Sequence, residues 1–177
     1  AESFGCSSYY RDVKMLPIQV GGRPLCAWRD QQMSQATGVE QNKRLASRAI
    51  TEIISEGNFD VIDEILAEDF AQYGGVSGDL QGTDALEEWM EQVYAGFSEF
   101  EATEEFSLCE DDLVAVRVTY SGTHDGEFMG IPATDEYVEI TGTTIFRVED
   151  GRIVEGWVET DTIGILQQVG AMDSSTA

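Results

Sequence analysis

Near Ser98 the hydrophobic period of this sequence changes from helical to alternating, and few architectures accommodate a run of helices followed by long alternating strands. Upstream, apolar residues at 46, 49, 50, 53 and 54 predict an amphipathic helix from Val39 to about Gly57, which supplies the stop. Asn58 is placed to cap a second, shorter helix with Phe59, Ile62, Ile65 and Leu66 on one face, ahead of Phe70. A glycine-rich passage, Tyr73-Gly74-Gly75-Val76-Ser77-Gly78, then breaks the pattern and reads as a flexible rim, because no Lys-Ser/Thr follows to make a phosphate loop. Thr83 is read as the cap of a third helix, with Leu86, Trp89, Met90, Val93, Tyr94 and Phe97 on one stripe. Downstream, Val114, Val116, Val118 and Tyr120 alternate with small or polar residues, as do Val138 and Ile140, with a kink expected at Gly142. Glu149-Asp150-Gly151 signals a hairpin into a strand from Arg152 to Thr160; residues 100–109 make a weaker strand, and Ile163 to Val169 a closing helical turn or two. Helices first and a curved antiparallel meander second is an α+β plan, with the helices covering one face of the sheet.

Charge narrows the partners. The 177 residues carry 34 Asp and Glu against 10 Lys and Arg, a formal net charge of −24, which repels phosphate backbones and anionic lipid and so excludes nucleic acid and membrane as expected partners. Hydrophobic residues at 42 % are still enough to close a core. The imbalance is uneven: residues 1–32 hold four basic and three acidic side chains, whereas the remaining 145 hold six and 31. With Pro17, Pro24, two of the three cysteines and no periodicity, residues 1–32 read as an N-terminal extension, leader or tag, and 33–177 as the folded domain. The alternative is an arm packed on the domain or on a neighbouring subunit. From Met33 onward Lys43 is the only lysine and carboxylates occur in every element, as expected of a halophilic cytoplasm in which salt screens self-repulsion; an ordinary acidic protein is the competing explanation. Cys6, Cys26 and Cys109 have no metal-ligand spacing, and one histidine cannot complete a zinc set, so no metal is expected. No stretch has the length of a spanning helix and no secretory signal is apparent, which fits a cytoplasmic chain.

The order of elements, together with Val114-Ala115-Val116-Arg117, Gly122-Thr123-His124-Asp125-Gly126-Glu127-Phe128-Met129-Gly130-Ile131-Pro132-Ala133-Thr134 and Asp150-Gly151-Arg152-Ile153-Val154-Glu155-Gly156-Trp157 running on to Asp161-Thr162-Ile163-Gly164-Ile165-Leu166-Gln167-Gln168-Val169-Gly170, resembles the SnoaL-like polyketide cyclase or ester cyclase group of the nuclear transport factor two-like superfamily. The resemblance spans roughly Val39 to Gly170. It implies a cystatin-like cone of bent sheet closed by helices around a pocket, and dimers formed through the outer sheet face.

Strand parity gives the candidate site residues. Counting along the last strand, Ile153, Glu155, Trp157, Glu159 and Asp161 fall on one side, with Val154, Val158 and Thr160 on the other. A carboxylate at a strand end beside an indole loses hydration, which favours its protonated form and suits a general base. The resemblance then implies that Asp161 removes a proton from a carbon between carbonyls to start an aldol closure without metal or cofactor; capping the following turn is the structural alternative. His124, the only histidine, shares parity with Val114 to Tyr120 and is expected inside, either as a hydrogen-bonded core residue or as a group polarising a substrate carbonyl. Trp89, Tyr94 and Trp157 are candidate pocket walls or plain core. Tyr73 stands where the resemblance implies a histidine, and it can hold an oxyanion but not act as a base near neutrality. Arg117 has the opposite parity to His124 and is expected in a salt bridge on the outer face. Three functions remain open: a cofactor-independent cyclase or isomerase acting on a small enolisable carbonyl compound, a binder of a small apolar ligand, and a dimerisation module.

Overall fold

The computed structural model describes residues 19–20, 23–24 and 38–172. The chain falls into two units, divided between Glu40 and Gln41. In the first, strand β1 (Gln19–Val20) pairs antiparallel with β2 (Arg23–Pro24). Most of the segment read as an extension, residues 1–32, lies outside the described residues.

The second unit is the α+β fold. Helix α1, 38–48, enters this unit at Gln41 and widens into a π-helical segment, Ala49–Ser55, after which Glu56 N–H reaches back five residues to the Thr51 carbonyl at 3.0 Å. The wider turn keeps Ala49, Ile50 and Ile53 all buried. A 3₁₀ turn, Phe59–Val61, leads into the short helix α2 (Ile62–Ile65), and no side chain of Asn58 caps it. Strand β3 (Leu66–Gly74) begins at Leu66, expected on the second helix, and runs into the passage expected as a rim; it buries Leu66, Phe70 and Ala71 across a register shift, so its sequence has no clean alternation. After β4 (Leu80–Gln81), helix α3 (Thr83–Gly96) starts from Gly82, and Thr83 is its first residue instead of its cap.

Four long elements complete the sheet: β5 (Ser98–Glu110), β6 (Leu113–His124), β7 (Glu136–Glu149) and β8 (Arg152–Thr160), with helix α4 (Thr162–Gln168) after them. The order across the sheet is β4-β3-β8-β7-β6-β5, antiparallel except for β3 beside β8. Asp150 (φ 48°) and Gly151 (φ 79°) form the two-residue β7–β8 turn, whose left-handed residues match the twist of the paired strands. β7 runs unbroken through Gly142; the irregularity lies in β8 instead. Val148 pairs with Ile153 and Arg147 with Glu155, which leaves Val154 as an extra residue. Past that bulge the parity reverses, so Gly156, Val158 and Thr160 face inward with Ile153, while Trp157 and Glu159 face out. Counting by twos from Ile153 therefore places Trp157 on the wrong face. The sheet is curved and unclosed, and its concave side packs on the helices through a core in which Phe70, Ile50, Ile53, Ile65, Ile153, Val114, Val116 and Val118 are fully buried. No described helix is long and apolar enough to cross a membrane.

Candidate functional site

One end of the concave face is not filled by side chains. A cavity of about 140 Å³ lies there, walled by Ala49, Ile50 and Ile53 of α1, by Leu86, Trp89, Met90 and Val93 of α3, and by Ile165 of α4. The sheet supplies Phe70, Tyr120, Val138, Ile140, Phe146 and Val158, and the glycine-rich loop supplies Val76 and Ser77. The lining is apolar with a few polar groups: Gln72, Ser77, Tyr120, Ser121, Thr144 and Thr160. Gln72 Nε2 donates to Ser77 Oγ at 2.9 Å, tying the loop to β3. Burial pushes the Tyr120 phenol above its ordinary pKa, against a hydrogen bond with Thr144 that lowers it. No carboxylate, imidazole or cation is among the described residues of the lining.

Of the residues singled out from sequence, Trp89 lines this cavity, its ring tilted on Phe128 at 5.7 Å between centroids. The others lie outside the lining. His124 is inward and 1 % exposed; its Nδ1 is 3.0 Å from Thr134 Oγ1 and its Nε2 has no hydrogen-bond partner. Its ring packs at 5.2 Å on Phe97, which does line the cavity, so one aromatic ring separates the imidazole from the hollow. Asp161 is exposed and caps α4, accepting Gly164 N–H at 2.8 Å, while its own N–H donates to Thr141 O at 3.2 Å. His124 pairs with Glu136 and Asp161 contacts Thr141 on the same strand. Five residues of extended chain, about 17 Å at ~3.3 Å each, separate the two, so the structure does not bring them together. Tyr73 is 38 % exposed and stacks on Trp157 at 6.1 Å on the outer face, where the Arg147 guanidinium lies 5.5 Å over the indole and bonds Glu155 and Asp112. Tyr94 sits behind the wall, donating to Ile53 O at 3.2 Å and Ile54 O at 2.9 Å and so locking α3 to α1. Arg117 is on the outer face as expected, but its partner is a hydroxyl, Thr141 Oγ1 at 2.6 Å.

Sequence reasoning missed the polar lining. Tyr120 and Thr144 were available from parity, as polar groups on inward stripes of β6 and β7; Thr160 was hidden by the bulge in β8. Among the described residues no cluster of three or more His, Cys, Asp or Glu could hold a metal ion.

Residues 44–169 match the family model of SnoaL-like polyketide cyclases. Among solved structures, IdmH from Streptomyces antibioticus, a provisionally assigned polyketide cyclase, is 32 % identical with a TM-score of 0.64, over 73 % of this chain and 99 % of that one. A provisionally assigned SnoaL-like polyketide cyclase from Jannaschia sp. CCS1 is 24 % identical with a TM-score of 0.68, over 75 % and 94 %. AclR from Streptomyces galilaeus, provisionally assigned as a hydroxylase, shares the fold at 23 % identity and a TM-score of 0.67, over 77 % and 85 %. A search of curated proteins finds no match.

Proposed function

The chain belongs to the SnoaL-like polyketide cyclase family, and from that premise we propose that it takes a small, largely apolar, enolisable carbonyl compound into the cavity and acts on it by acid–base chemistry of the aldol-cyclisation or isomerisation kind, calling on no cofactor. The observation that carries this reading is the cavity: an apolar hollow with a few convergent polar groups suits a hydrophobic skeleton with one or two oxygens. On the enzyme reading Asp161 is the base and His124 the polarising group; the two stand about 17 Å apart and outside the lining, so each would act on a different part of the substrate. A second reading, binding without turnover, is favoured by the absence of a carboxylate or imidazole from the described lining. Exchange of α-protons in D₂O, followed by NMR with a panel of enolisable ketones at high salt, separates the two. Turnover requires exchange above background that falls about 100-fold or more in Asp161→Asn or His124→Gln. Saturable binding with background exchange in the wild type establishes the binder.

The outer sheet face supports self-association. Register aligns Leu108, Ala115, Ile145, Trp157 and Tyr73 across five strands, and Leu108 (65 % exposed) and Phe106 (57 %) stand open beside them. A second copy of the chain is the partner this face suits, in a salt-rich cytoplasm that screens the charge of −24.

A further inference from the structure

Three hydroxyl residues of the sheet wall, Tyr120, Thr144 and Thr160, lie around Gly142. Tyr120 faces Ile140 in register, whereas Thr144 faces Val116, so the phenol can meet the Thr144 hydroxyl only by crossing Gly142. A Cβ at Gly142 would lie 2.9 Å from Tyr120 Cε2 and 3.0 Å from Thr160 Cγ2. The missing side chain is therefore the space into which both groups lean. Thr160, which pairs with Gly142, turns its methyl to that space, and its Oγ1 is buried without a hydrogen-bond partner. Gly75 of the rim loop closes over it, since a Cβ there would sit 3.6 Å from that oxygen. A buried hydroxyl left unpaired in an otherwise apolar wall is unfavourable, and an acceptor brought in by a ligand removes the deficit.

Building on the reading of the cavity as a carbonyl-compound site, we infer that this corner determines ligand specificity. Thr160 Oγ1 donates to the buried carbonyl oxygen of the ligand, the Tyr120 hydroxyl stands beside it as a second donor, and Thr144 holds the phenol in place. The cavity thereby selects a ketone over a hydrocarbon of the same shape. Neither Thr160 nor Tyr120 moves a proton in this scheme; both orient the ligand.

The cavity, about 140 Å³, is close to the engineered ~150 Å³ cavity that admits benzene, so single-ring probes are appropriate. Acetophenone and ethylbenzene, matched in shape and different in the carbonyl, are titrated calorimetrically at molar KCl into wild type, Thr160→Val, Thr160→Ser and Tyr120→Phe. Thr160→Val is expected to weaken acetophenone about fivefold, the loss of one hydrogen bond, with ethylbenzene changed by less than about twofold. Thr160→Ser restores the ketone affinity, and Tyr120→Phe gives the same ketone-only loss, which serves if Thr160→Val does not fold. Equal changes for both ligands, or none for either, overturn the anchor and leave the cavity a binding site. No binding of either probe to the wild type overturns the anchor together with the reading it builds on.

Discussion

Asp161 shows how one carboxylate is committed by its neighbours. Its Oδ1 satisfies Gly164 N–H in the first turn of α4, so Asp161→Ala should cost about 1 kcal/mol in urea unfolding, whereas Asp161→Asn, which keeps a capping oxygen, should stay near wild type. An equal loss in both variants would show that the negative charge matters more than the cap. Asp125 is a second case. It accepts Ser98 N–H at 3.0 Å, and the Ser98 hydroxyl first, with that N–H in support, holds its carboxyl below the usual aspartate range. A depressed folded-state pKa stabilises above the unfolded-state value and is lost as pH falls through the folded one. Asp125→Asn should therefore be less stable than the wild type near neutrality, with a flatter acid side that converges on the wild-type profile below about pH 4. His124 was legible as an inward residue because β6 and β7 pair without a register break from its end to Leu113. The polar corner was not fully legible, since placing Thr160 inside requires knowing that Val154 is bulged.

At the scale of elements, the helices and the four long strands follow from periodicity because each has one buried and one solvated face. β3 does not, because it lies between β4 and β8 and shifts register between Leu66 and Ala71, burying Phe70 and Ala71 as consecutive residues. Two irregularities, one in β3 and one in β8, thus account for the missed strand and the misplaced Trp157. The bulge also has a consequence outside: it moves Trp157 into the exposed apolar row that includes Ile145. If this row pairs two copies, sedimentation at molar KCl should give a dimer for the wild type and a monomer for Ile145→Lys, with the same far-ultraviolet circular dichroism. Identical masses for the two proteins would remove this face as the interface.

For the whole molecule, the excess of 34 acidic residues over 10 basic ones makes salt the variable that tests stability, and the cavity is the feature on which the proposed function rests. Self-repulsion is screened over roughly 3 Å at molar salt and 30 Å at 10 mM. The melting temperature should therefore fall markedly between 2 M and 20 mM KCl, and an unchanged value would count against halophilic adaptation. The cavity is the centre of the account, and a crystal structure of the acetophenone complex grown at molar salt tests it most directly. The expected result is the ring enclosed among Trp89, Phe70 and Phe146 with its oxygen at Thr160; a ring lodged instead against Tyr73 and Trp157 on the outer face, or an empty cavity in saturated protein, would contradict it.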